Sequence, residues 1–406
     1  MNDKRKIIVL LGDGMGDYPI DSLGGRTPLQ AAVTPHMDYI VKNGLLGVTK
    51  TVPEGMSPGS DTANLSVFGY DPQKYYTGRA PLEALNMGIE LGPGDVAFRC
   101  NIVTLEGDVL VDFSADHIES EFSEIVINEM KKYFPVKGIE YYAGVSYRNI
   151  VVWRDYPYEE IAETTPPHDI QGQNYSSFLP DGSGAELLRE VIKNSVDIIR
   201  ESAAIKEAAS RYNGKPVSLW LWGAGRKPSM ESLENRFGLT GYTIAAVDLI
   251  HGIGKAAGLS PIRVEGATGY IDTNYNGKAE ALLRNLNNVN YIFLHVEAPD
   301  ESGHEGNIEK KIKSIQDFDE KIVGTVLKGL REYSDYSLLV MPDHFTPVST
   351  RTHSPDPVPF AIIKCRNGEI VHSKYGTSSG FNEPAAVSTG YIVEHAHDII
   401  NILVED

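Results

Sequence analysis

Seven residues in this chain have the types and spacing to do chemistry together. Asp13 closes an apolar run in "KIIVLLGDGMGD", and Ser60 lies in "PGSDTANLSVFGYDP". Asp300 and His304 stand four apart in "HVEAPDESGHEG". Asp343 and His344 are adjacent in "PDHFTPVSTRTHSPDPVPF", and His353 follows in the same stretch. Carboxylates and imidazoles form a mixed N/O donor set, which suits Mn, Zn, Co or Fe better than a thiolate set would. Asp300 and His304 are expected one turn apart, in a loop that leads into a helix. Asp343 and His344 are expected at a strand end, where successive side chains diverge, so that each faces a different metal. Plainer uses exist for every one of them. An Asp after a strand is commonly a turn former or a helix cap, and a lone His is more often structural. His295, inside an apolar strand, is read as structural, and His36, His251, His372, His395 and His397 show no partner pattern.

Ser60 has two readings. Ser-Asp-Thr at a helix start is good capping chemistry, since a short oxygen side chain accepts from the first free backbone N–H groups. The other reading is a nucleophile at a helix N-terminus, where backbone donors and the dipole favour an incoming phosphate.

The elements that must position these residues are legible in outline. Three apolar runs, at 6–12, 290–296 and 336–341, read as buried parallel strands, and each has an Asp at or just past its end. In open α/β sheets ligands bind beyond the carboxyl ends of the strands. Ile308, Ile312, Ile315, Phe318, Ile322 and Val326 mark one helical face, and Leu188, Val191, Ile192, Val196, Ile199 and Ala203 mark another. The stretch 164–186 is rich in Pro, Gly and Ser and reads as a long loop of the kind that is often functional.

Composition removes several classes of function. The chain has 406 residues, 41% hydrophobic and 23% charged, with net charge −18. A balance this acidic argues against a nucleic-acid partner. Two cysteines without a CxxC pair point to a reducing, cytoplasmic setting. No stretch approaches the ~20 apolar residues of a membrane span. "GDGMGD" has the wrong glycine spacing for GxGxxG, no GxxxxGK[ST] occurs, and no GxSxG surrounds Ser60.

The four quoted motifs together resemble the alkaline phosphatase superfamily, and more narrowly the cofactor-independent phosphoglycerate mutases of the archaeal type. The resemblance runs through almost the whole chain. It implies an α/β fold with a mostly parallel sheet sandwiched by helices, and an inserted second α/β or α+β domain. Residues 1–77 plus 263–406 would form the metal-binding catalytic domain, and 78–262 the substrate-binding insert. It implies Ser60 as a nucleophile that becomes phosphorylated, and two divalent metals, manganese first, with zinc, cobalt or magnesium as alternatives and no 2,3-bisphosphoglycerate. Asp13, Ser60, Asp343 and His344 would hold one metal; Asp300, His304 and His353 would hold the other. The substrate would be a small phosphorylated molecule bound through His117, Arg148, His168 and Arg226. Two departures from the archaeal pattern stand out. "SADHI" replaces a glycine-arginine form, and Trp222 stands where an arginine is usual. A related bacterial branch has been proposed as homoserine kinases, so a phosphotransferase to an amino-acid alcohol stays open, as does a metal-dependent phosphatase.

Overall fold

The computed structural model describes residues 5–405, which divide into two compact units. One comprises residues up to Tyr76 together with Met230 onward, and the other is Thr77–Ser229.

The first unit opens with β1 (Lys6–Gly12) and β2 (Leu45–Thr49). The chain then leaves to build β3 (Val96–Glu106), β4 (Val109–Asp112), β5 (Ile139–Val145), β6 (Arg148–Trp153) and β7 (Ser218–Gly225) in the second unit. It returns for β8 (Gly241–Ile244), β9 (Ser260–Ile262), β10 (Tyr291–Val296), β11 (Tyr336–Met341), β12 (Val358–Arg366), β13 (Glu369–Val371) and β14 (Ile392–Val393). The nine strands of the first unit are ordered β14-β2-β12-β11-β1-β10-β8-β9, with β13 beside β12. From β11 to β9 every neighbouring pair is parallel, and β12 runs antiparallel to both of its path neighbours.

Burial explains the parallel centre. Strands β1, β10 and β11 are buried at every position, because helices cover both faces. On one face Ile8, Leu10, Leu294 and Val340 join Leu282, Ile315 and Ile322 in one core. On the other, Phe293 stacks on Phe68, with centroids 4.0 Å apart. Of the face read from 308 to 326, Ile315, Phe318, Ile322 and Val326 pack into the core while Ile308 and Ile312 stay half-buried, and the segment is not one plain α-helix. It is α-helical over Ile308–Asp317, π-helical over Phe318–Val323 and α-helical again over Gly324–Leu330.

The second unit is an antiparallel sheet, order β4-β3-β6-β5 with β7 on β3, which makes this unit α+β. Helices Ser120–Tyr133 and Ala185–Glu201 pack on it around Phe122, Leu188, Val191 and Leu221. Its end differs from the expected 262. Residues 230–262 belong to the first unit because Gly241–Ile244 adds to the central sheet beside Tyr291–Leu294. That short strand has no apolar run long enough to announce itself. Among the described residues no helix is long and apolar enough to cross a membrane.

Candidate functional site

The register of the central strands brings the acids together. Gly12 lies opposite Val296 and Leu11 opposite Met341, so β11, β1 and β10 end side by side. Asp13 follows β1, Asp300 lies just past β10, and Asp343 follows β11. Gly14 turns the first of these loops at φ +61°, and a Cβ there would sit 2.5 Å from Thr346 Oγ1 and 2.6 Å from Asp300 Oδ1. Only glycine lets the three loops approach this closely.

Asp300 and His304 lie on one short helix, Ala298–His304, rather than in the expected loop. His304 Nε2 stands 3.3 Å from Asp300 Oδ2, and His353 Nε2 stands 3.4 Å from Asp300 Oδ1. The two imidazole Nε2 atoms face each other at 3.0 Å. Each ring's Nδ1 lies near a carbonyl, Arg351 O at 3.0 Å for His304 and Pro58 O at 3.2 Å for His353. A carbonyl only accepts, so each neutral ring carries its proton on Nδ1 and turns its Nε2 lone pair inward. Two lone pairs and a carboxylate converging on one point call for a cation there.

Asp343 and His344 do not diverge. His344 Nε2 is 3.4 Å from Asp343 Oδ2, 3.5 Å from Asp13 Oδ1 and 3.2 Å from Ser60 Oγ. The chain leaves strand geometry at Pro342, so the alternation of side chains ends before these two residues. Thr346 donates its hydroxyl to Asp300 Oδ1 and accepts from His344 Nδ1 at 3.2 Å. That sets the His344 tautomer and points its Nε2 lone pair at Ser60 and the carboxylates.

Ser60 is the first residue of the helix Ser60–Val67, whose N-cap is Gly59, and the Ser60 side chain makes no capping bond; the first-turn Thr62 N–H is taken by Asp61 Oδ1 at 2.9 Å. The capping reading of Ser60 therefore fails, and its hydroxyl faces His344 instead. Asn64, one turn on, donates to Ser60 O at 2.9 Å and to Asp343 Oδ2 at 2.7 Å. Asn64, Thr346 and His295 were not among the candidates. The i, i+4 spacing of Ser60 and Asn64 was the one available signal. His295, read as structural, has its Nε2 2.9 Å from Asp13 Oδ2 and orients that carboxylate.

Electrostatics within the cluster follow from burial and from the groups that face one another. Burial, reinforced by Asp343, Asp300 and Glu297, pushes the Asp13 carboxyl well above its usual range. Burial acts the same way on Asp300, but His304 and His353 outweigh it and hold that carboxyl well below. Burial depresses His304, and the Asp300 carboxylate overrides this and lifts it to about 9. Burial lowers His344, and it lowers His295 to about 3.

A pair of divalent cations fits this donor set. Three groups have ligand atoms within 4.8 Å of one another: Asp300, His304 and His353; Asp13, Asp300 and His344; and Asp13, His295 and Asp343. Asp13 Oδ1 is buried without a hydrogen-bond donor. Three buried carboxylates converge here, and cations would take the place of the protons that His304 and Asp13 otherwise hold.

The second unit gathers charge of the other sign. Arg99 Nε and Arg79 Nε each lie 2.9 Å from a Glu83 carboxylate oxygen. The Arg99 guanidinium stacks 4.3 Å from the Trp222 ring centre, and Trp222 donates to Asn101 Oδ1 at 2.9 Å. His168 packs edge-on to Trp222 at 5.2 Å, and Arg148 lies over Tyr147 at 4.5 Å. His117 packs against the same Tyr147 at 6.3 Å. It ends three consecutive non-glycine residues with left-handed φ, Ala115, Asp116 and His117, a costly conformation of the kind that clusters at functional sites. Arg226 stands apart from these, because its guanidinium holds the carbonyls of Gly94 and Tyr158 at 3.2 and 2.8 Å. Arg79 and Arg99 were not among the sequence candidates, since a lone Arg in a strand or helix start carries no pattern.

A central, mostly parallel sheet with Asp, His and a helix-start Ser beyond its strand ends is an α/β fold that carries its candidate site at the carboxyl ends of the strands. A family model described as 2,3-bisphosphoglycerate-independent phosphoglycerate mutase matches residues 41–204. A protein of Geobacter sulfurreducens, named a probable 2,3-bisphosphoglycerate-independent phosphoglycerate mutase, is 46% identical over 98% of this chain and 100% of its own. A mutase of the same name from Methanothrix thermoacetophila is 47% identical over 98% and 99%. A solved protein from Pyrococcus horikoshii is similar in structure, with TM-score 0.80, 28% identity and coverage of 98% and 96%. The cofactor-independent phosphoglycerate mutase of Thermoplasma acidophilum shares the fold, with TM-score 0.63, 24% identity and coverage of 98% and 99%. This chain belongs to the 2,3-bisphosphoglycerate-independent phosphoglycerate mutase family.

Proposed function

We propose that the protein interconverts 3-phosphoglycerate and 2-phosphoglycerate through a phosphoserine at Ser60. The observation that carries this is the Ser60 hydroxyl, 3.2 Å from His344 Nε2 and bound into no cap. Two divalent cations, manganese first among the candidates, held by Asp13, Asp343 and His344 with Ser60 and by Asp300, His304 and His353, supply positive charge that lowers the serine pKa and offsets the charge of the moving phosphoryl group.

Ser60 Oγ attacks phosphorus, forming the Oγ–P bond as the bond from phosphorus to the glycerate oxygen breaks. The serine proton ends on the released glycerate hydroxyl, so atoms and charge balance. Glycerate reorients and its other hydroxyl takes the phosphoryl group back, returning the proton to Ser60. Residues 77–229 are assigned the binding of glycerate, with Arg99, Arg79 and Arg148 as the candidates for its carboxylate and His117 and His168 as further candidates. Arg226, occupied by the carbonyls of Gly94 and Tyr158, is left out of that set. Retention of glycerate matters because water admitted to the site would hydrolyse the phosphoserine.

The deciding experiment follows phosphorus NMR of the manganese-loaded protein given 3-phosphoglycerate alone, then homoserine with ATP. Appearance of 2-phosphoglycerate, with phosphate on the Ser60 peptide after quenching, is expected. Phosphohomoserine in the second arm and no isomerisation in the first would replace this reading with the kinase.

A further inference from the structure

Lys311 is fully buried on the helix Ile308–Asp317 and is bonded to none of the seven residues that do chemistry. A lysine ammonium has three donors and no acceptor. Here all three are placed: Gly16 O at 3.0 Å, Asp17 Oδ2 at 2.9 Å and Thr346 O at 2.7 Å. These acceptors belong to separate segments. Gly16 and Asp17 follow Asp13, while Thr346 follows Asp343 and His344. The helix bearing Lys311 itself follows the helix of Asp300 and His304. Asp17 ties the same loops a second time, since its Oδ2 accepts from Val348 N at 3.1 Å.

A buried ion pair is a poor way to gain stability, because desolvating both charges costs as much as their attraction returns. An apolar pair would fill the same space. What apolar side chains cannot do is fix two backbone carbonyls of different loops to one point with hydrogen-bond precision.

We propose that Lys311 is a positioning residue for cation binding: its ammonium holds the Asp13 loop and the Asp343–His344 loop at the separation the ligands need. The inference rests on the two-cation reading above. Outer partners of this kind typically change metal affinity by about 10- to 100-fold when removed.

The test uses the full-length protein stripped of metal. Lys311→Met paired with Asp17→Asn removes the tripod without leaving a lone buried charge. Lys311→Arg, made in parallel, keeps the charge on a planar fork that cannot reach all three acceptors. Manganese affinity is read by titration and coordination by the visible spectrum of the cobalt-loaded protein, with the melting temperature of the metal-free form as the fold control. The expected result is at least a tenfold loss of manganese affinity and a changed cobalt spectrum in whichever variants fold. Folded variants with parental affinity and spectrum, differing only in melting temperature, would show Lys311 to be merely structural and overturn the proposal. A parent that binds no manganese would instead defeat the two-cation reading. A parent whose binding is abolished by Asp300→Asn but untouched by the Lys311 variants leaves that reading standing and removes only this inference.

Discussion

The two units each bury a charged cluster, and the clusters have opposite deficits. Around Asp13, Asp300 and Asp343 the carboxylates outnumber any fixed positive partner, and the imidazoles beside them turn lone pairs inward. Around Glu83, the buried Arg99, the half-buried Arg79 and the exposed Arg148 share one carboxylate. Burial drives the Arg99 guanidinium down to about 10 even with Glu83 beside it. An unbalanced buried charge is tolerated where a ligand completes it. Under the function proposed above, one cluster would take cations and the other the carboxylate of glycerate. The difference teaches that the cost of burying charge can be met in two ways, by an opposite charge already in the fold, as Glu83 does for Arg99, or by donors arranged for a cation.

The comparison can be broken hardest at Ser60. Ser60→Ala should lower turnover by at least about 10³-fold, roughly 4 kcal/mol of barrier at ~1.4 kcal/mol per tenfold. Its melting temperature should hardly move, because the side chain makes no capping bond. Steady-state rates beside a thermal melt check both, and a variant retaining a tenth of parental turnover would sink the nucleophile assignment.

A pair of variants sharpens the contrast between the clusters. Asp300→Asn should abolish tight manganese binding, while Arg99→Met with Glu83→Gln should leave manganese affinity alone and reduce kcat/KM by about 10²-fold, the scale of about 3 kcal/mol. The arginine variant should also release more inorganic phosphate, since a loosely held glycerate escapes and leaves the phosphoserine to water. Titration calorimetry and a phosphate-release assay separate the two losses. Equal effects of both variants on manganese binding would mean that the clusters are not independent devices.

The smallest expected effect lies behind the cation site, at Glu383. It accepts from Thr27 Oγ1 at 2.6 Å and from Asp17 N at 3.1 Å, and burial lifts its carboxyl from 4.5 to about 7. The folded state therefore binds this proton more tightly than the unfolded chain does. The stability it contributes is complete below about pH 4.5 and is lost as pH rises to about 7, at up to about 1.4 kcal/mol per unit. Glu383→Gln should flatten the stability of the metal-free protein across that window, measured by urea unfolding at a series of pH values. Some slope should remain, because burial also lifts Asp319 to about 6. An unchanged slope would assign the whole window to other groups.

The sequence by itself determined the three Asp-bearing strand ends, most of the helix faces and the seven candidate residues that the fold brings together. These rest on local periodicity and on residue types in short motifs, and such signals survive without a fold. Tertiary structure decided the rest. His295 reads as core because its neighbours in the strand are apolar, yet the register of β1 against β10 sets it beside Asp13. Lys311 reads as a solvated lysine in "NIEKKIKS", yet helix packing buries it against carbonyls some 295 and 35 positions away. Arg79, Arg99 and Trp222 meet only because β7 pairs with β3 and the helix Arg79–Asn86 packs on both. The short strand Gly241–Ile244 carries no period of its own, so only its pairing with Tyr291–Leu294 places it in the first unit, ahead of the expected boundary at 262. In every case the missing information was a contact between residues far apart in the chain, and no local pattern encodes which distant backbone a side chain will meet.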